Sequence, residues 1–125
     1  MNAPPVFAAT VDPARNLLRV RYTGHVSASD VEAAAAKVGK ILLEMKPGFK
    51  LLADLSTVAS MELDCVPHFA VIMDRFRAHQ IGLVVRLLPA PDRDIGINLI
   101  SIIHYRGEVK TVTVDTLEEA ERALA

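Results

Sequence analysis

The sequence predicts a single α/β domain: a mixed, mostly parallel central sheet of about five strands, an N-terminal antiparallel hairpin and four helices. Three observations support this fold class. The chain has 125 residues, which is the size of one domain. Hydrophobic residues make up 51% of it and charged residues 23%, the balance of a globular protein with a real core. After the first strands, short apolar runs alternate with longer segments of helical periodicity, as in sheets whose parallel strands are joined by helices.

Charge and cysteine content disfavour several classes of function. The net charge of -1 provides no general attraction to nucleic acid or an anionic membrane. The single cysteine, Cys65, has no partner for an internal disulfide or a zinc site, which suits a reducing compartment. The apolar runs fall far short of the roughly 20 residues of a transmembrane helix, and the first residues lack the basic start of a signal peptide. We therefore expect a cytoplasmic protein without a metal or other cofactor.

The N-terminal part is predicted to be a hairpin followed by a helix. Residues 1–5 contain two adjacent prolines and are expected to form a flexible leader. Strands are expected over Val6–Val11 and Leu17–Thr23, joined by a tight connection that contains Asp, Pro and Asn. Ser27 and Asp30 have the spacing of a helix cap, and the apolar stripe that follows ends before a Pro-Gly pair.

Two central strands enclose the second predicted helix. Phe49–Ala53 is the near-continuous apolar run expected of a strand that is covered on both faces. The helix after it is predicted to begin with Asp64 as its N-cap and Pro67 in its first turn. Leu83–Leu88 is the second central strand, and it ends before prolines.

The C-terminal third contains the segment that is hardest to assign. Asp92–Arg106 is rich in isoleucine, which favours a strand, but its length and its boundaries favour a third helix. Lys110–Val114 is then a short strand. Thr116 and Glu119 have the spacing of a capping box for a final helix that Leu117, together with later apolar residues, is expected to anchor.

An acidic, hydroxyl-rich corner after the first central strand is the strongest candidate site. That strand is expected to end at Asp54 and Ser56, and ligands bind open parallel sheets beyond the carboxyl ends of their strands. A structural interpretation competes, in which these side chains bond nearby amides and Asp64 only caps a helix, and we favour it. The candidate binding residues are Asp54, Ser56, Ser60, Glu62, Asp64 and His68.

No catalytic or metal-binding constellation is predicted. The four histidines lack the helical spacing that brings two metal ligands together, and the glycines never form a phosphate-binding loop. Cys65 would lie in the first turn of a helix, where the helix dipole favours a thiolate. Because no histidine is known to face it, we expect a small buried residue rather than a nucleophile.

Two short motifs and the order of elements resemble STAS domains, which occur in anti-sigma-factor antagonists and sulphate transporters. The motifs are Asp54-Leu55-Ser56 after a strand and the closing stretch V-D-T-L-E-E-A from Val114 to Ala120. In signalling members, the following helix begins with a D-S-S-G-like loop whose serine is phosphorylated by a partner kinase. The matching residues 62–65 are Glu-Leu-Asp-Cys, so Asp64 places a permanent charge there. The resemblance implies a non-enzymatic regulatory or scaffold module that acts through protein contacts.

A lipid-binding-like branch of the same family implies an alternative, a carrier or sensor of a small apolar ligand. Side chains of the second and third predicted helices would form the walls of its pocket, although such apolar residues more often form a plain core. The pocket candidates are Phe69, Met73, Phe76, Leu99 and Ile103. A homodimer is a further expectation, because the short two-stranded edge and a moderately apolar surface leave room for such a contact.

Overall fold

The computed structural model describes residues 5–88 and 109–125, which form a five-stranded sheet and, within these ranges, three α-helices. The strands are β1 (Phe7–Asp12), β2 (Leu17–Val26), β3 (Lys50–Met61), β4 (Leu83–Leu87) and β5 (Lys110–Val114). The helices are α1 (Ala28–Ile41), α2 (Val66–Ala78) and α3 (Leu117–Leu124), with 3₁₀ turns at Pro13–Arg15, Leu42–Glu44 and Leu63–Cys65. The helix predicted over Asp92–Arg106 lies outside the described residues. No helix of the described ranges is long and apolar enough to cross a membrane.

The sheet has the predicted mixed topology. Its strands lie in the order β1-β2-β3-β4-β5, with β1 and β2 antiparallel and the other neighbours parallel. The hairpin closes because the Asp12 carboxylate accepts a hydrogen bond from the Arg15 amide and Asn16 adopts a left-handed φ of 49°. Parallel strands need a crossover connection, and α1 and α2 provide it before β3 and β4.

Each face of the sheet has its own buried cluster. Alternating side chains of a strand point to opposite faces, so Leu51 packs with α1 and α2 whereas Leu52 packs with α3. This burial on both faces explains the near-continuous apolar run. On α3 the buried residues are Ala120 and Leu124, one helical turn apart. The predicted role of Leu117 as an anchor is wrong: it is 54% exposed at the first position of the helix.

β3 is longer than the sequence predicted. It runs on to Met61 and, beyond the point where Asp54 pairs with the last residue of β4, continues beside β2 alone. The predicted strand end at Asp54 is wrong because a β-bulge absorbs the irregular sequence there: β2 advances from Arg21 to Thr23 while β3 advances from Asp54 to Thr57. We call this two-stranded part of β2 and β3 the β-extension, and four of the six candidate binding residues lie along it or at its ends.

The predicted helix starts have mixed outcomes. Ser27 and Asp30 form the predicted capping box of α1, and the Thr116 hydroxyl accepts the Glu119 amide of α3 at 3.1 Å. The N-cap predicted at Asp64 is wrong. The chain enters α2 through a 3₁₀ turn, so the backbone is already helical at Cys65, the residue in the N-cap position.

Candidate functional site

A row of polar side chains runs along one face of the β-extension. Residues two apart on a strand share a face, and the β2 members lie on the face opposite the α1 and α2 core. Three cross-strand contacts of 3.2 Å, 3.0 Å and 2.7 Å form this row: Arg21–Asp54, Thr23–Thr57 and His25–Ser60. The β2 partners were not predicted from the sequence, because only the parallel register brings them beside the hydroxyls of β3.

Asp54 stabilises the first bulge of β3. One carboxylate oxygen of Asp54 accepts a hydrogen bond from the Ser56 backbone N–H at 2.9 Å and another from the Ser56 hydroxyl. The other oxygen accepts a hydrogen bond from Arg21 Nε at 3.2 Å. The extra residue of a bulge loses its ladder partner, and a carboxylate can replace the missing acceptor. The Asp54 side chain is only 14% exposed. Asp54 and Ser56 are therefore engaged with each other, which supports the structural interpretation of this motif.

Glu62 joins the end of β3 to the start of α1. Its Oε1 accepts the Ala28 amide at 3.3 Å, and its Oε2 lies 3.2 Å from His25 Nε2. His25 Nδ1 contacts the Ser60 hydroxyl, so hydroxyl, imidazole and carboxylate follow the order of a catalytic triad. Such chemistry needs a site that excludes water, and the His25 and Glu62 side chains are 58% and 45% exposed. The cluster is better suited to anchoring α1.

The capping box of α1 lies at the same end of the molecule. The Asp30 carboxylate accepts the Ser27 amide at 2.9 Å and the Ser27 hydroxyl at 2.7 Å. These hydrogen bonds, led by that from the backbone amide, lower the pKa of Asp30. Asp30 therefore remains ionised at the positive end of the helix dipole.

A second surface is formed by the turn before α2 and the first turns of that helix. Leu63, in the 3₁₀ turn that leads into α2, is 81% exposed. Pro67 and Val71, four residues apart on α2, are also exposed and share one side of that helix. We call Leu63, Pro67 and Val71 the α2 ridge. Asp64 lies beside it, exposed, with no hydrogen bond or ion pair from its carboxylate to any described residue. Leu63, an apolar residue between two acids, was not among the predicted binding residues, although this loop was.

The six predicted binding residues divide between these surfaces. Asp54 with Ser56, and Ser60 with Glu62 through His25, lie along the β-extension and at its two ends. Asp64 and the half-buried His68 lie at the start of α2 and form no hydrogen bond with the other four among the described residues. The single corner predicted from the sequence is thus two neighbouring surfaces.

Cys65, between these surfaces, is a core residue. It is fully buried, and its thiol contacts the Val26 carbonyl at 3.4 Å. Burial, reinforced by nearby acids that include Glu62, raises the pKa of the Cys65 thiol. A raised pKa disfavours the reactive thiolate, so the expectation of a small buried residue is confirmed.

Three of the five residues predicted to line an apolar pocket lie within the described ranges. Phe69, Met73 and Phe76 are buried between α2 and the sheet, where they line a cavity of about 50 Å³. Leu99 and Ile103 lie outside the described residues. Arg86, which the sequence analysis did not select, also lines the cavity at 6% exposure, and burial lowers the pKa of its guanidinium group.

Solved structures share this arrangement of sheet and helices. The anti-sigma-factor antagonist SpoIIAA in its unphosphorylated form matches with a TM-score of 0.63 and 15% identity over 94% of each chain. An uncharacterised DUF3478-family protein from Shewanella loihica, described as having a SpoIIAA-like fold, matches with a TM-score of 0.71 and 10% identity over 100% of this chain and 98% of its own. This chain has a SpoIIAA-like fold.

An anti-sigma-factor antagonist from Mycobacterium paratuberculosis shares the SpoIIAA-like fold, with a TM-score of 0.59 and 18% identity over 99% of this chain and 98% of its own. No family model and no curated protein matches the sequence. The predicted STAS-like domain is therefore confirmed at the level of the fold.

Proposed function

We propose that this protein is a non-enzymatic regulatory or scaffold module of the cytoplasm that binds another protein through the segment from Ser56 to Pro67 and α2. The observation that carries the proposal is the α2 ridge, where Leu63 is 81% exposed beside Asp64. The fold supports it, because two of the solved structures that share it are described as anti-sigma-factor antagonists.

The chemistry of the surface defines the partner. Burying a leucine side chain completely contributes about 1.5–3 kcal/mol, so Leu63 can act as the anchor of an interface. Glu62 and Asp64 flank that anchor with negative charge. The expected partner therefore offers an apolar pocket with lysine or arginine at its rim, which would orient the contact.

Asp64 also bears on regulation. SpoIIAA has been solved in both a phosphorylated and an unphosphorylated form. Where the resemblance places a phosphorylated serine, this chain has Asp64, whose carboxylate supplies a permanent negative charge. We infer that the charge at this position is constitutive, so that partner binding does not depend on a kinase acting there.

Affinity capture with matched variants tests the proposal. The purified chain would be immobilised, exposed to native cell extract and analysed by quantitative mass spectrometry, with Leu63→Asp and Asp64→Lys beside the wild type. Leu43→Asp is the control, since Leu43 is 82% exposed in the turn after α1 and receives the same charge. We expect a specific protein that is lost with Leu63→Asp, reduced with Asp64→Lys and retained with Leu43→Asp. Equal recovery by all four proteins, or no specific protein at all, would contradict the proposal.

A second candidate, a carrier or sensor of a small apolar ligand, is favoured by the cavity beneath α2. Its wall is formed largely by apolar side chains such as Phe69 and Met73, which suits a small apolar molecule. At about 50 Å³ it is smaller than the roughly 150 Å³ that holds benzene, so binding would require α2 to move outward. Native mass spectrometry of gently purified protein should then show an added mass, and its repeated absence would exclude this candidate.

A further inference from the structure

The outer edge of β1 carries backbone groups that point away from the sheet. The Val6 carbonyl accepts the Thr23 amide at 2.9 Å, which makes this pair a hydrogen-bonded one. Such pairs alternate along an antiparallel ladder, so the N–H and C=O groups of Phe7, Ala9 and Val11 point outward. In the described part of the chain, β1 is the last strand on this side of the sheet.

Within Phe7–Asp12 this edge has no lysine, proline or bulge to protect an exposed strand. Proteins block their edges with lysine, proline or a bulge. The strand Phe7–Asp12 reads F-A-A-T-V-D and pairs with β2 without a register shift. Its one charged residue, Asp12, accepts a hydrogen bond from the Arg15 amide in the hairpin turn. The edge is therefore suited to pairing with one more strand.

A groove beside the edge gives an added strand room. It has a volume of about 330 Å³ and lies between β1, at Phe7 and Ala9, and α1, at Lys37, Lys40 and Ile41. A strand paired with β1 would direct every second side chain into this groove and the others towards the opposite face.

The groove is positively charged. Lys37 and Lys40 are exposed, and neither forms an ion pair with any residue in the ranges 5–88 and 109–125. Asp30 lines an adjoining pocket near Pro5, but its carboxylate accepts hydrogen bonds from Ser27. Side chains that enter the groove are therefore best matched if they are acidic.

We propose that β1 binds an extended segment of another protein, which adds a sixth strand to the described sheet and directs acidic side chains towards Lys37 and Lys40. A second copy of this chain fits the groove less well. Antiparallel pairing of two β1 strands about Ala9 would place both α1 helices on the same side, so that their lysines would face one another. The β1 surface is distinct from the α2 ridge and does not depend on the function proposed for it.

A synthetic peptide tests the proposal directly. The probe is a fluorescein-labelled ten-residue peptide in which glutamate alternates with valine, and binding is measured by fluorescence anisotropy at low salt. We expect saturable binding that weakens as salt is added, because the charges are near the surface. The same peptide with lysine in place of glutamate should not bind. Equal binding of both peptides, or no binding of the acidic peptide, would overturn the proposal.

Protein variants separate the backbone contact from the charges. Ala9→Pro removes an outward N–H but no ladder bond, and proline is tolerated at such edge positions. We expect it to weaken binding by about tenfold or more. Lys37→Glu with Lys40→Glu should have an effect of similar size, about tenfold, whereas Lys46→Glu with Lys110→Glu, an equal charge change at other exposed lysines, should leave binding within about twofold.

Two controls test whether the peptide pairs with the β1 backbone and whether a second copy of the chain occupies the same edge. A peptide N-methylated at the amides that would face β1 must lose binding to the unaltered protein, so the conclusion does not depend on the fold of Ala9→Pro. Sedimentation of the protein alone identifies the other occupant. A dimer that Ala9→Pro dissociates would show that a second copy covers this edge and would overturn the proposal.

Discussion

Replacing Asp54 by alanine tests why the Asp-Leu-Ser motif is present in this chain. The variant removes the acceptor of the Ser56 amide, and hydrogen bonds to charged groups contribute about 1.5–3 kcal/mol. It also removes the ion pair with Arg21, which is 56% exposed and therefore contributes at most about 1 kcal/mol. We expect Asp54→Ala to lower the free energy of unfolding by about 1.5–4 kcal/mol.

Two companion variants separate the bulge from the charge. Asp54→Asn keeps an oxygen that can accept a hydrogen bond from the Ser56 amide but loses the charge, which roughly halves the strength of that bond and removes the ion pair with Arg21, so a loss of about 1–2 kcal/mol is expected. Arg21→Ala removes only the exposed ion pair and should lower stability by less than about 1 kcal/mol. Urea unfolding followed by far-ultraviolet circular dichroism gives all three values, provided that the slope with denaturant is unchanged. Equal losses for the asparagine and alanine variants, or no loss for Asp54→Ala, would refute the structural role.

Three further predictions concern packing, reactivity and acid stability. Gly82→Ala would place a Cβ atom 2.8 Å from the Gly48 carbonyl oxygen, so its thermal unfolding should show a loss of about 1–3 kcal/mol, and wild-type stability would contradict the observed packing. Cys65 should react with a thiol reagent only as fast as the protein unfolds, and rapid labelling of the native protein would count against its burial. Because the folded-state pKa of Asp30 is lowered, its stabilisation is complete above about pH 4 and is lost as the pH falls through the folded-state value. Asp30→Asn should therefore flatten the acid part of the stability profile measured by urea unfolding, and an unchanged profile would exclude this contribution.

The apolar residues predicted the central part of the fold. The run from Phe49 to Ala53 must be covered on both faces, and that requirement led to a parallel sheet with helices on either side. The remainder of β3 could not be predicted in this way. Beyond Asp54 the strand carries polar residues such as Thr57 and Ser60, and two register shifts against β2 break the two-residue alternation that identifies a strand.

The candidate site was predicted in composition but not in arrangement. His25 and Ser60 are 35 residues apart in sequence and meet at 2.7 Å, because β2 and β3 are parallel in one particular register. Neither strand alone specifies that register. Asp64 failed as an N-cap for a local reason: a 3₁₀ turn can precede a helix, and the sequence around Cys65 fits either start.

The two proposed interaction surfaces lie on either side of α1, which packs against both α2 and β1. The α2 ridge offers an apolar anchor with acidic neighbours, whereas the β1 edge offers backbone groups with basic neighbours. Their opposite charges would select different partners. A module that bound both at once would act as a scaffold, and each contact can be removed separately by Leu63→Asp or by Ala9→Pro.

Hydrogen–deuterium exchange of the chain, alone and with the protein recovered by affinity capture, shows directly whether that partner contacts the α2 ridge. Backbone amides at an interface exchange more slowly in the complex, and mass spectrometry locates them by segment. We predict slower exchange over residues 61–74, from the end of β3 through the first turns of α2. Unchanged exchange in that segment, with protection elsewhere in the chain or none, would contradict the assignment of the α2 ridge as the regulatory interface.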